Sequence, residues 1–218
     1  MNVVYRTITS VDWLTLLLVG SLIILTVSKY FFRSTFYNFF ILPFNNKYLT
    51  LSKKKGKLLS GFHVLLTLFQ LLNISMFVFL ARNSLFQEPD VSYPIVFWLI
   101  FAMLLGFLLF KIILQAGNGY FFENQTMMSD LIFEKLSFFN YSALIAFCGN
   151  VMLLYISNHS NLVVYIIIAL ILLINLIGLV NVVRIHQKLI VSNVLYFILY
   201  LCTLEIAPLV VIGSYLKD

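Results

Sequence analysis

Apolar residues come in long blocks along this chain, and polar residues gather in the gaps between them. Six blocks stand out, at residues 13–32, 58–80, 95–114, 136–156, 162–183 and 194–216. Each holds about 20 residues or slightly more, enough to cross roughly 30 Å of hydrocarbon as a helix rising about 1.5 Å per residue. A lipid-facing barrel would instead show ~10-residue segments of alternating polarity. Stretches such as Val163-Val164-Tyr165-Ile166-Ile167-Ile168-Ala169-Leu170 do not alternate. Backbone groups in lipid must pair within their own segment, so helix wins despite the β-branched residues. The pattern predicts an all-α, polytopic membrane bundle of six transmembrane helices, forming one domain over residues 1–218.

The gaps add detail. Asp12 suits the N-cap of the first span, and Trp13 the interfacial aromatic belt. The first span is expected to be retained, because no small-residue cleavage site precedes it. Pro94 suits the first turn of the third span. The connection from Ser157 to Asn161 is very short, so spans four and five form a tight antiparallel hairpin. Ala116-Gly117-Asn118-Gly119 predicts a break, followed by an amphipathic helix that feeds the fourth span. Along that helix Met128, Leu131, Ile132, Lys135 and Leu136 recur at helical spacing, with Glu123, Asp130 and Glu134 largely off that stripe. No convincing internal repeat appears, which weakens an inverted-repeat transporter reading.

Composition agrees with the pattern. The chain is 62% hydrophobic and 10% charged, with a mean hydropathy of +1.02. Soluble domains are about half apolar and about a quarter charged. The net charge of +6 is unevenly placed. Connections 1–2, 3–4 and 5–6, with the span ends beside them, carry Lys29, Arg33, Lys47, Lys53, Lys54, Lys55, Lys57, Lys111, Lys135, Arg184 and Lys188. The other side carries Arg6, Arg82 and Lys217, which completes the 14 basic residues. The positive-inside rule puts the first group in the cytoplasm, so both termini face outward. No DNA- or RNA-binding pattern accompanies the charge, so nucleic acid is not an expected partner. Phe36, Tyr37, Phe39, Phe40, Phe44 and Tyr48, followed by Lys53, Lys54, Lys55 and Lys57, suit a segment lying on an anionic leaflet.

Ionisable residues inside spans are the first places to look for chemistry. Glu205 falls near the middle of the sixth span. Pro208, three residues on, removes the amide that would bond the carbonyl of Leu204, so polar backbone opens beside Glu205. Such a place can hold a proton, a cation or a polar ligand, or can simply lock helices together. Lys111 lies in the third span at a depth about 8 Å from that of Glu205. It either pairs with Glu205 or snorkels to the cytoplasmic interface. Lys29 ends the first span and is expected to snorkel. His63, His159 and His186 lack metal-site spacing, and Cys148 and Cys202 read as apolar packing residues, so no metal or cofactor is expected. Gln70, Asn73, Asn150, Asn175 and Asn181 suit interhelical hydrogen bonds. No nucleophile elbow, P-loop or dinucleotide turn occurs.

The stretch Ile198-Leu199-Tyr200-Leu201-Cys202-Thr203-Leu204-Glu205-Ile206-Ala207-Pro208-Leu209 resembles the closing motif of an uncharacterised family of multi-span membrane proteins of Bacteroidota, classed as a domain of unknown function. Lys111 and Gly119-Tyr120-Phe121-Phe122 are similar to that family's middle region. The resemblance covers nearly the whole chain. It implies an inner-membrane location in a Gram-negative cell, draws attention to Glu205 and Pro208, and brings no activity with it.

Three functions follow as expectations. Short loops and the lack of a catalytic set favour a non-enzymatic accessory or scaffold subunit, partnered by another membrane protein or by copies of itself. A small transporter or channel would use Glu205 and Lys111. An enzyme acting on lipid or a lipid-linked substrate would need acids such as Glu123, Asp130 and Glu134 gathered at the cytoplasmic interface.

Overall fold

A computed structural model of the chain describes residues 12–43, 48–49, 60–86, 94–121, 125–156 and 160–185. The helices are α1 (Asp12–Phe31), α2 (Arg33–Phe40), α3 (Gly61–Phe86), α4 (Pro94–Phe121), α5 (Gln125–Val151) and α6 (Asn161–Ile185). A π-helical turn, Met152–Ile156, continues α5. Among the described residues no strand occurs, and five helices are long and apolar enough to cross a membrane: α1, α3, α4, α5 with its π turn, and α6. The protein is an all-α membrane bundle. The expected sixth span at 194–216, with Glu205 and Pro208, lies outside the described residues, as do Lys53, Lys54, Lys55 and Lys57. By contact the chain divides into Met1–Gly178 and Leu179–Asp218; the bundle is the first unit, and the end of α6 is the described part of the second.

Neighbouring contacts set the helix directions. Trp13 at the start of α1 packs edge-on against Phe79 near the end of α3, at 5.5 Å. Phe32, just past α1, packs on Phe62 at the start of α3, at 5.8 Å. These two helices are therefore antiparallel. Phe97 at the start of α4 meets Phe79, so α4 also runs against α3. Asn140 reaches Thr67 and Asn150 reaches Asn73, which makes α3 and α5 parallel. Ser84 at the end of α3 bonds Asn161 at the start of α6, so α6 runs back again. The connections α1–α3 and α4–α5 thus lie at one end of the bundle, beside Lys29 and Arg33. The connections α3–α4 and α5–α6 lie at the other.

α3 is the hub, packing on α1, α4 and α5. Three clusters fill the interior. At the basic end Phe39, Leu42, Tyr48, Leu49, Phe62, Leu66, Phe133 and Phe138 pack together. At the opposite end one cluster joins Phe77 and Ala81 of α3 to Ala146, Leu153, Val164 and Ile167. Beside it, Leu14, Leu18, Met76, Phe79 and Phe97 form another. α1 turns Ser21 and Ser28 inward, and each hydroxyl is satisfied by its own helix, donating to Leu18 O and Ile24 O at 2.9 Å. Small residues that bond back in this way let helices approach closely in lipid. Glycine does the same between α5 and α6. A Cβ on Gly149 would stand 2.5 Å from Ile167 Cδ1, and one on Gly178 would stand 2.5 Å from Phe138 Cγ.

The fold corrects several local expectations. The glycine-rich stretch at 116–119 does not break the chain: α4 runs through it to Phe121. Gly117 and Gly119 cost about 1 kcal/mol each inside a helix, which a long apolar helix absorbs. α3 extends to Phe86, because Asn83 and Ser84 continue it as buried residues. At the edge of the first span, Trp13 packs edge-on against both Phe79 and Phe97. The aromatics after α1 split their roles. Phe39 and Tyr48 enter the core, while Tyr37 and Phe40 stay exposed. Cys148, expected as a packing residue, is exposed.

Candidate functional site: a polar seam inside the bundle

Helical spacing places His63, Thr67, Gln70 and Asn73 on one stripe of α3. His63, Gln70 and Asn73 are nearly inaccessible. The stripe faces α5, which supplies Glu134, Ser137, Asn140 and Asn150, all at 0% exposure. Continued along α3, the same stripe becomes apolar at Phe77 and Ala81, within the cluster that includes Ile167. The result is a polar seam that enters the bundle from the basic end and stops at an apolar plug.

Direct bonds tie the seam together. Asn150 Nδ2 donates to the backbone oxygen of Asn73 at 2.9 Å. Asn140 Nδ2 donates to Thr67 Oγ1 at 3.4 Å, and Thr67 Oγ1 donates to His63 O at 2.8 Å. Asn73 Nδ2 donates to Phe69 O at 2.9 Å. Outside the seam, Tyr155 Oη donates to Thr15 Oγ1 at 2.9 Å and Ser84 Oγ to Asn161 Oδ1 at 3.1 Å. At the basic end the His63 ring packs on Phe133 with centroids 4.9 Å apart, and Glu134 is the next residue of α5.

Lys111 stands on the packed stripe of α4, which runs through Phe97, Leu104, Leu108 and the buried Gln115. It is half-buried, while Phe110 and Ile113 on either side of that stripe are exposed. α4 and α5 are antiparallel, and Lys111 stands as far before Phe121 as Lys135 stands after Gln125. Lys111 therefore lies level with Glu134 and Lys135, about 15 Å from the α4–α5 connection at 1.5 Å per residue. Whether it meets Glu205 falls outside the described residues. Lys29 is exposed at the end of α1.

Glu134 is the main departure from the sequence reading. The periodicity sets it largely off the apolar stripe, toward water, yet it is completely buried. Tyr48, stacked on Phe133 at 5.8 Å, belongs to the aromatic layer that covers this end of α5. Asp130, one turn earlier, is half-buried, and Glu123 lies outside the described residues. The acids do not share one aqueous edge, since Glu134 is inside. Among the described residues, no group of three or more His, Cys, Asp and Glu could hold a metal ion.

A model of a family described as a domain of unknown function matches residues 14–216, nearly the full chain and every helix above. The chain belongs to the DUF4271 family. No curated protein and no solved structure matches it. In this DUF4271 protein, His63, Glu134, Gln115 and Lys111 are among the ionisable and polar residues that the fold turns inward at the basic end. Of these the sequence pattern marks only Lys111 as a candidate intramembrane site. The signal available for His63 is its place on a polar 4-3-3 stripe with Thr67, Gln70 and Asn73.

Proposed function

We propose that this DUF4271 protein is a non-enzymatic accessory or scaffold subunit of an assembly in the bacterial inner membrane. The observation that carries the reading is a set of polar contacts between helices. Thr15–Tyr155, Ser84–Asn161, Asn73–Asn150 and Thr67–Asn140 join helices at successive levels. They are spent on holding the bundle in one arrangement. The proposed orientation has both termini outside and the basic end in the cytoplasm, as the lysine and arginine distribution favours. Lys53, Lys54, Lys55 and Lys57 would then meet anionic headgroups. The test is quantitative mass spectrometry of what co-purifies with the tagged protein from native membranes in mild detergent. A partner at constant stoichiometry, another protein or further copies of this chain, supports the reading. Recovery as a lone monomer overturns it.

A second reading, a small transporter or channel, has its own support in the inward placement of Lys111. It predicts that Lys111 and Glu205 act together. If Lys111→Met and Glu205→Gln lower thermal stability independently and additively, that pairing does not exist.

A further inference from the structure

Four carboxamide oxygens in the seam face no protein donor: Gln70 Oε1, Asn73 Oδ1, Asn140 Oδ1 and Asn150 Oδ1. Neither ring nitrogen of His63, one a donor and one an acceptor in the neutral ring, has a hydrogen-bond partner. All five residues are at least nine-tenths buried. For the three asparagines, turning the amide over cannot cure it. Asn73 and Asn150 each donate Nδ2 to a backbone carbonyl, which would meet oxygen with oxygen after a flip. Thr67 has already given its proton to His63 O, so it can only accept from Asn140. The side that lacks a donor is therefore fixed as the carbonyl side in each case.

Carbonyl oxygens shut away from water without a donor are costly anywhere, and more so across a bilayer core. Four of them on one seam call for a guest that donates hydrogen bonds. A single cation does not fit. Asn140 and Asn150 stand about 15 Å apart along α5 at 1.5 Å per residue, so no one ion serves both. A row of small molecules does fit, since each water carries two donors and can pass the chain to the next level. The seam's far limit is the apolar cluster of Phe77, Ala81, Ala146, Leu153, Val164 and Ile167, whose side chains carry no hydrogen-bonding group.

We propose that the α3–α5 seam holds a chain of buried water molecules, which donate to Gln70, Asn73, Asn140 and Asn150 and connect them to the His63 ring. The chain reaches from the basic end into the bundle interior and stops at the apolar plug. It is a blind, hydrated half-path, lying between the aromatic layer around Phe133 and the plug. It gives the imidazole of His63 a hydrogen-bonded route inward, toward Asn73 and Asn150, without opening a route across the membrane. The proposal rests on neither reading of function above, and the co-purification result leaves it untouched.

Radiolytic hydroxyl-radical footprinting with mass spectrometry tests it on the unmodified, full-length protein. Radicals formed from bound water oxidise the side chains that touch that water. Four phenylalanines share the same intrinsic reactivity and are all 0–1% exposed: Phe69 and Phe133 beside the seam, and Phe79 and Phe97 in the separate apolar cluster. A hydrated seam gives oxidation of Phe69 and Phe133 several-fold faster than of Phe79 and Phe97. Prior equilibration in oxygen-18 water followed by rapid dilution leaves the heavy label in the products at Phe69 and Phe133, because enclosed water exchanges slowly. Equal, low rates at all four rings overturn the proposal.

Discussion

The α5–α6 contact at Gly149 offers a sharp test of how this bundle is held. A methyl group there would lie 2.5, 2.9 and 3.1 Å from Cδ1, Cγ1 and Cγ2 of Ile167. Both residues are buried, so neither side has free space to yield into. Overpacking of this kind costs about 1–3 kcal/mol. Against it stands the helix-propensity gain of Gly→Ala, about 1 kcal/mol. Gly149→Ala alone should therefore lower stability by about 0–2 kcal/mol. Ile167→Ala removes all three clashing atoms. In that background Gly149→Ala keeps only its propensity gain and should stabilise by up to about 1 kcal/mol. The propensity term cancels in the cycle, which leaves a coupling of about 1–3 kcal/mol. The assay is loss of helical circular dichroism as sodium dodecyl sulfate is titrated into protein in dodecyl maltoside. A coupling below about 0.5 kcal/mol, within the range of simple additivity, would refute the close approach of α5 and α6.

Three further outcomes are expected. Asn150→Leu removes the bond to Asn73 O and should cost about 0.6–1.7 kcal/mol in the same titration, the range measured for interhelical bonds in lipid. Tyr155→Phe deletes an exposed bond to Thr15 and should change stability by no more than about 0.5 kcal/mol. Periplasm-active reporters fused to each terminus should both be active in cells, as the basic side of the bundle is read as cytoplasmic; activity at one terminus only would mean an odd number of spans.

Much of the fold is written in the apolar blocks. Five of them form the five long helices because hydrocarbon leaves a helix as the one way to satisfy an isolated segment's backbone. Pro94 begins α4 as its fixed φ and missing donor suggest. The site is harder to see. Glu134 reads as solvent-facing because helical periodicity describes one helix at a time. It carries no trace of Tyr48 and Phe39, which arrive from far upstream to join the aromatic layer around Phe133. His63 reads as one of three scattered histidines until α3 and α5 come together in parallel. Trp13 reads from sequence only as a span-edge aromatic; that its ring packs edge-to-face on two phenylalanines depends on helices that come later in the chain.

The parallel pairing of α3 with α5 also sets a clock on biogenesis. Asn140 follows Thr67 by 73 positions, and Asn150 bonds a residue 77 positions upstream. At synthesis rates of about 5–20 residues per second, α3 waits roughly 4–15 s after it is made before its polar stripe finds those partners. Throughout that interval His63, Gln70 and Asn73 have only α1 and α4 beside them, and α1 answers with apolar residues and self-satisfied serines. A half-made chain is thus poorly suited to release into lipid. α3 has reason to linger at the insertion machinery, and cells short of membrane-insertion capacity should lose this protein early, by degradation of chains that stalled before α5.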